Sequence, residues 1–150
     1  MSSTPSSTVS FGDTLHVRDH CLCLHVQRAA RALARRFDDA LRPLGLTNGQ
    51  FSLLMSLNRP EPAPMSSVAK LLAMDRTTLT AALKPLERRR LIRVEANPDD
   101  GRARLLILTP SGRDVLTQAL PIWKAVHAEL EARLPDESGD ALRSNLQALL

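Results

Sequence analysis

A mainly α-helical fold with one small β-hairpin is what this sequence predicts, and three observations carry the prediction. Apolar residues recur at helical spacing before residue 58 and again after residue 110. Between them, Leu91-Ile92-Arg93-Val94 and Leu105-Leu106-Ile107-Leu108 are β-prone and flank Asn97-Pro98-Asp99-Asp100-Gly101, a stretch with turn chemistry. Just ahead of that hairpin, residues 65–90 read as two short helices around a tight turn.

Each element has its own signal. Residues 1–12 start Ser/Thr-rich and are expected to be a flexible segment. Leu22, Val26, Ala29, Leu33, Phe37, Leu41 and Leu44 recur at intervals of four and three, marking one helix from about Asp13 to Arg42 that Pro43 and Gly45 stop. Thr47-Asn48-Gly49-Gln50 is a capping-box pattern that opens a second helix over Phe51, Leu53, Leu54 and Leu57. The run Pro60-Glu61-Pro62-Ala63-Pro64 ends it and leaves room for a residual strand at most. Ser66 reads as the cap of a helix bearing Val68, Ala69, Leu71 and Leu72, and Asp75 as the N-cap of the next. In that helix Leu79, Leu83 and Leu86 face the core, leaving Thr77, Thr80 and Lys84 on the opposite side, and Pro85 predicts a kink. After the hairpin, Thr109 and Pro110 start a long helix with Leu116, Leu120, Trp123, Leu130 and Leu134 on one stripe and a bend expected at Pro121. A last helix, with Leu142, Leu146, Leu149 and Leu150, follows Pro135-Asp136.

Helix, turn, helix and hairpin in that order describe a winged helix-turn-helix, in which one helix enters a DNA major groove while the hairpin tip reaches the adjacent minor groove. Charge points to the same partner. Residues 66–104 hold nine Lys and Arg against five Asp and Glu, an excess equal to the +4 of the whole chain. The basic excess therefore sits where a phosphate backbone would lie. Arg88-Arg89-Arg90 has a second reading, as cations that favour a helix C-terminus.

Composition narrows the other classes. With 150 residues and 43% hydrophobic content the chain can bury one core. There is no glycine-rich phosphate loop, no G-x-S-x-G elbow and no H-E-x-x-H, so an enzyme is a poor fit and no cofactor is expected. No apolar run approaches the ~18–20 residues of a membrane span, nothing resembles a secretory signal, and two cysteines do not make a disulfide framework; a cytoplasmic location follows. The competing reading from another class is a winged-helix module that binds protein without binding DNA. Exposed threonines and wing arginines discriminate, because DNA uses them and a protein-binding wing would not.

The chain resembles the MarR family of bacterial regulators. The resemblance rests on Asp75-Arg76-Thr77-Thr78-Leu79-Thr80, on Leu83-Lys84-Pro85-Leu86-Glu87-Arg88-Arg89, and on Asp99-Asp100-Gly101-Arg102-Ala103-Arg104 followed by Leu108-Thr109-Pro110-Ser111-Gly112. It extends over most of residues 15–150. It implies an obligate homodimer on a pseudo-palindromic operator, usually a repressor released by a small ligand or by oxidation. It also implies that residues 13–58 and 110–150 supply dimerisation helices around a DNA-binding module at 59–109. Arg76, Thr77, Thr78, Thr80 and Lys84 then fall on the recognition helix, and Arg102 and Arg104 on the wing, with Asp100 orienting Arg102. A ligand pocket between the dimer helices and the winged module would be lined by Phe37, Asn48, Phe51, Met55 and Trp123. Two positions depart from the family pattern. Arg90 stands where glycine often ends the recognition helix, so that helix is expected to end differently, and Ala81 stands where relatives carry a larger polar or basic side chain.

Cys21 and Cys23 are the candidate redox residues. On one continuous helix, residues two apart point about 200° from each other, so an internal disulfide needs local unwinding. By the resemblance, peroxide-sensing members carry a reactive cysteine near the start of the first helix, where Cys23 aligns. The two tyrosines that hold that thiolate align with Phe37 and Asn48, and this chain has no tyrosine. Cys23 thus reads either as a sensor or as a packed structural thiol. His16, His20, Cys21, Cys23 and His25 include pairs at ligand-compatible spacing, but these pairs diverge and no metal is expected.

Overall fold

The computed structural model describes residues 8–150. Its elements are helices α1 (Phe11–His20), α2 (Leu22–Leu41) and α3 (Asn48–Ser56), strand β1 (Ala63–Pro64), helices α4 (Met65–Leu71) and α5 (Arg76–Arg88), strands β2 (Ile92–Asn97) and β3 (Asp100–Leu108), and helices α6 (Pro110–Glu131) and α7 (Gly139–Gln147). A short 3₁₀ turn, Arg42–Leu44, leads from α2 to Gly45, whose φ of 66° is left-handed and suits glycine. The strands form one antiparallel sheet in the order β1-β3-β2, with Ala63 opposite Leu106 and Ile92 opposite Leu108.

Two compact units divide the chain, Met1–Leu33 and Ala34–Leu150. In the first, no described residue is buried. The second holds the whole core: Leu41, Leu53, Leu54, Val68, Leu79, Leu83, Leu86 and Leu106 are its most completely buried side chains. Each such leucine contributes about 2 kcal/mol through burial, so α3, α4, α5 and the sheet are fixed to one another by their apolar faces. Among the described residues no buried side-chain N or O lacks a hydrogen-bond partner.

Local signals placed most helix starts. Thr47 and Gln50 make the expected capping box of α3, Asp75 caps α5, and Thr109 with Pro110 starts α6. α5 runs on through Pro85 and α6 through Pro121. Three expectations are corrected. The helix expected from Asp13 to Arg42 is two helices, because Cys21 leaves the helical region with ψ of 110°. Cys21 ends α1 and begins α2: its amide donates back to the Val17 carbonyl while its Sγ accepts from the Leu24 amide at 3.4 Å. Ser66 caps nothing; the N-cap position lies two residues earlier, at Pro64, whose ring has no hydrogen-bonding group to cap with. Leu149 and Leu150 lie beyond the end of α7. Of the segment expected to be flexible, residues 1–7 lie outside the described residues, and Phe11 and Gly12 already belong to α1.

Candidate nucleic-acid interface

Helix α5 is built from its cap outward. Asp75 has extended backbone, and its Oδ1 accepts from the Thr78 amide at 2.7 Å. That amide, together with the Thr78 hydroxyl, holds the Asp75 carboxyl below the usual carboxylate range. Leu79, Leu83 and Leu86 then anchor α5 in the core, and Arg76, Thr77, Thr78, Thr80 and Lys84 are all exposed. The Thr80 hydroxyl donates to the Arg76 carbonyl at 2.7 Å. Its proton is thereby used inside the helix, and what it offers outward is a methyl group and an acceptor oxygen.

The wing follows from its turn chemistry. Asn97 Oδ1 accepts from the Asp99 amide at 3.0 Å, an Asx turn that reverses the chain. Pairing jumps from Ala96–Arg104 to Asn97–Asp100, so Gly101, Arg102 and Ala103 lie in a bulge with no partners on β2. Asp100 does orient this segment, but through the main chain: its Oδ1 accepts from the Arg102 amide at 3.0 Å. Among the described residues, Arg76, Lys84, Arg102 and Arg104 are in no salt bridge. Arg76 and Arg104 line one open cleft with Ser66 and Ala103, which brings a cation from the helix and a cation from the wing to the same place. The nearby Arg93 instead faces Glu95 at 3.4 Å.

The C-terminal end of α5 is held more firmly than its sequence suggests. Arg90 takes the left-handed conformation itself, φ 58°, at the position where glycine is usual. Its amide donates to the Glu87 carbonyl and the Leu91 amide to the Leu86 carbonyl, the paired bonds of a Schellman ending. The expectation of a different ending is corrected: the geometry is retained and arginine carries the strain. Thr109 Oγ1 donates to the Arg90 carbonyl at 2.7 Å and accepts from the Gly112 amide at 3.0 Å. A Cβ at Gly112 would collide with the Leu91 carbonyl oxygen, so Thr109 and Gly112 together seat the start of α6 on the end of α5. Within the arginine triplet, Arg89 is also engaged, its guanidinium donating to the carbonyls of Gly45 and Leu44. Sequence reasoning missed this contact, which spans more than forty residues and leaves no local signature.

The other candidate residues are placed as follows. Phe51, Met55 and Trp123 converge on an open cleft of about 410 Å³ that Ser52, Leu71 and Leu120 help to line. Trp123 is stacked between Phe51 and the His127 ring, with centroids 6.2 and 4.5 Å away. Phe37 belongs to the core, and the Asn48 amide donates to Asp38; neither lines that cleft. Cys21 is half-buried and Cys23 exposed, both as free thiols, and Gln27 Nε2 donates to Cys23 Sγ at 3.0 Å. His16 and His20 stack on each other, and their bond runs from the His20 ring to the His16 carbonyl. Among the described residues no group of three or more His, Cys, Asp or Glu is arranged to hold a metal ion, and no helix is long and apolar enough to cross a membrane.

Comparison with known proteins agrees with this geometry. Residues 46–103 match the model of the MarR family. The structure of the transcriptional regulator MosR of M. tuberculosis in complex with DNA is similar at 39% identity and a TM-score of 0.79, over 87% of this chain and 93% of that one. The chain belongs to the MarR family. The chain is also similar to the organic hydroperoxide resistance transcriptional regulator of Bacillus subtilis, 27% identical over 85% of this chain and 84% of the relative. A mutant of E. coli MarR complexed with operator DNA is similar at 25% identity and a TM-score of 0.79, over 91% of this chain and 98% of that one. This is a family of transcriptional regulators, and the winged helix-turn-helix built by α4, α5, β2 and β3 is the MarR-type module.

Proposed function

We propose that this MarR-family chain is a sequence-specific double-stranded DNA-binding repressor that works in the cytoplasm as a homodimer, occupies a pseudo-palindromic operator and is released by a small ligand. One observation carries the reading. The core anchors one face of α5, while its other face and the wing offer Thr77, Thr80, Lys84, Arg102 and Arg104 to solvent. That arrangement suits α5 in a major groove and an arginine in the adjacent minor groove. Two relatives similar to this chain have been crystallised on DNA, which supports it. The exposed apolar residues Leu22, Val26, Leu33, Leu142 and Leu146 support a dimer, since apolar surface of that extent is usually covered by a symmetric partner.

For the effector, the cleft at Phe51, Met55 and Trp123 favours an uncharged, largely apolar ligand. Thiol oxidation is a second reading, favoured by the exposure of Cys23. The test is selection of bound duplexes from a random pool, followed by titration in salt and challenge of the complex with metabolites or an organic hydroperoxide. Binding that weakens steeply with salt supports the DNA reading; no binding at ~50 mM salt would leave a protein-binding wing. Hydroperoxide release that Cys23→Ser abolishes would assign the oxidation route, and release by metabolites alone the cleft.

A further inference from the structure

The arginine triplet at the end of α5 looks, by charge alone, like one phosphate-binding run. Among the described residues, Arg89 alone of the three has a side-chain hydrogen bond. Arg89 Nη1 donates to the Gly45 carbonyl at 2.6 Å and Nη2 to the Leu44 carbonyl at 3.2 Å. Both acceptors lie on the corner that closes the Arg42–Leu44 turn, where Gly45 is left-handed and a Cβ would sit 3.4 Å from Arg89 Nη2. The fork of the guanidinium thus grips two successive main-chain carbonyls from two nitrogens held in one plane, a fixed spacing that the single nitrogen of an ammonium does not reproduce. On its other side the same helix end is held by Thr109 through the Arg90 carbonyl.

We infer that Arg89 is a positioning residue for DNA recognition: it fixes the C-terminal end of the recognition helix to the α2–α3 corner and does not contact phosphate. The inference rests on the DNA-binding reading above. Base-edge hydrogen bonds require the helix to be set to within a fraction of an ångström, whereas phosphate attraction tolerates small rotations. Releasing the clamp therefore costs operator discrimination and leaves general affinity for duplex intact. A residue that touches phosphate behaves the opposite way, lowering the salt dependence of binding by about one unit.

The experiment compares wild type, Arg89→Ala, Arg89→Lys and Arg102→Ala on operator and scrambled duplexes across a salt series. Clamping predicts that Arg89→Ala and Arg89→Lys each lose on the order of tenfold in operator affinity, with scrambled-duplex affinity and salt slope unchanged. Arg102→Ala should reduce the slope. Full rescue by lysine, a reduced slope in Arg89→Ala, or unaltered operator affinity in both Arg89 variants would overturn the inference. Hydrogen exchange without DNA separates this from failure of the DNA-binding reading. In Arg89→Lys, which retains the charge and the long stem, the amides of Leu46 and Leu91 should exchange faster than in wild type. Those amides donate to the Leu41 and Leu86 carbonyls at the two ends of the clamp. Unchanged exchange at both would overturn the clamp, even if no duplex proved to be bound.

Discussion

Single residues set the ends of α5, and two of them are testable by stability alone. Arg90 holds φ at 58°, where a β-carbon is crowded and glycine is not. Arg90→Gly should therefore stabilise the protein by about 1 kcal/mol, read as a higher denaturant midpoint with unchanged slope. The Schellman bonds use main-chain atoms alone and the Thr109 hydroxyl bonds the residue-90 carbonyl, so all of them survive the change. At the other end, the Thr78 amide lowers the pKa of Asp75 in the folded chain. The sign follows from linkage: a depressed folded pKa adds stability that is complete above the unfolded value, near 3.8, and is lost as pH falls through the folded value. Asp75→Asn keeps an acceptor at the cap but has no proton to gain. Its stability relative to wild type should improve as pH drops below about 4, by thermal melts across pH; a constant difference between the two would separate the cap from that titration.

At the scale of elements, local chemistry was legible and long-range chemistry was not. Thr47, Asp75 and Thr109 were readable as caps because a cap is decided within four residues. The hairpin was readable because Asn97-Pro98-Asp99 has its own turn, and the core face of α5 because leucine spacing repeats. The break at Cys21 carries neither glycine nor proline, so apolar periodicity on both sides of it read as one helix. Ser66 misled because Pro64 had already set the backbone at the start of α4. Phe51, Met55 and Trp123 come together across α3 and α6, while Phe37, one stripe position away from solvent, is packed into the core. The element-scale prediction separates reading from positioning on DNA. Arg102 sits in the unpaired bulge of β3, free to enter a minor groove, so Arg102→Ala should weaken operator and scrambled duplexes alike. Thr80 offers only an acceptor and a methyl group outward, so Thr80→Ala should relax preference at one base pair presenting an amino donor or a thymine methyl, with scrambled-duplex affinity unchanged. Parallel affinity measurements on single-base operator variants check both; loss at every sequence in Thr80→Ala would place that residue on the backbone instead.

Across the whole molecule, the chain leaves apolar side chains that its own core does not use. Leu142 and Leu146 of α7 are 43% and 40% exposed, and Leu149 beyond it is 61% exposed. Leu22 and Val26 near the start of α2 are likewise uncovered. The uncovered apolar face of Leu142, Leu146 and Leu149 has the pattern of a symmetric interface, in which the same patch serves both subunits. Two-fold symmetry then dictates the shape of the DNA site. Each subunit presents one α5, so the bound duplex should contain two inverted half-sites about 10 bp apart, centre to centre, with each wing against the flanking minor groove. Replacing Leu142 and Leu146 together by aspartate places charge on residues already in contact with solvent, so the monomer keeps its core while the partner surface is lost. Sedimentation should change from dimer to monomer, and operator affinity should fall by at least a hundredfold while affinity for an isolated half-site stays within about threefold, because the second half-site acts through effective concentration. A wild-type monomer, a double variant that still sediments as a dimer, or an operator without two-fold symmetry would each break the chain of argument from exposed leucines to operator shape.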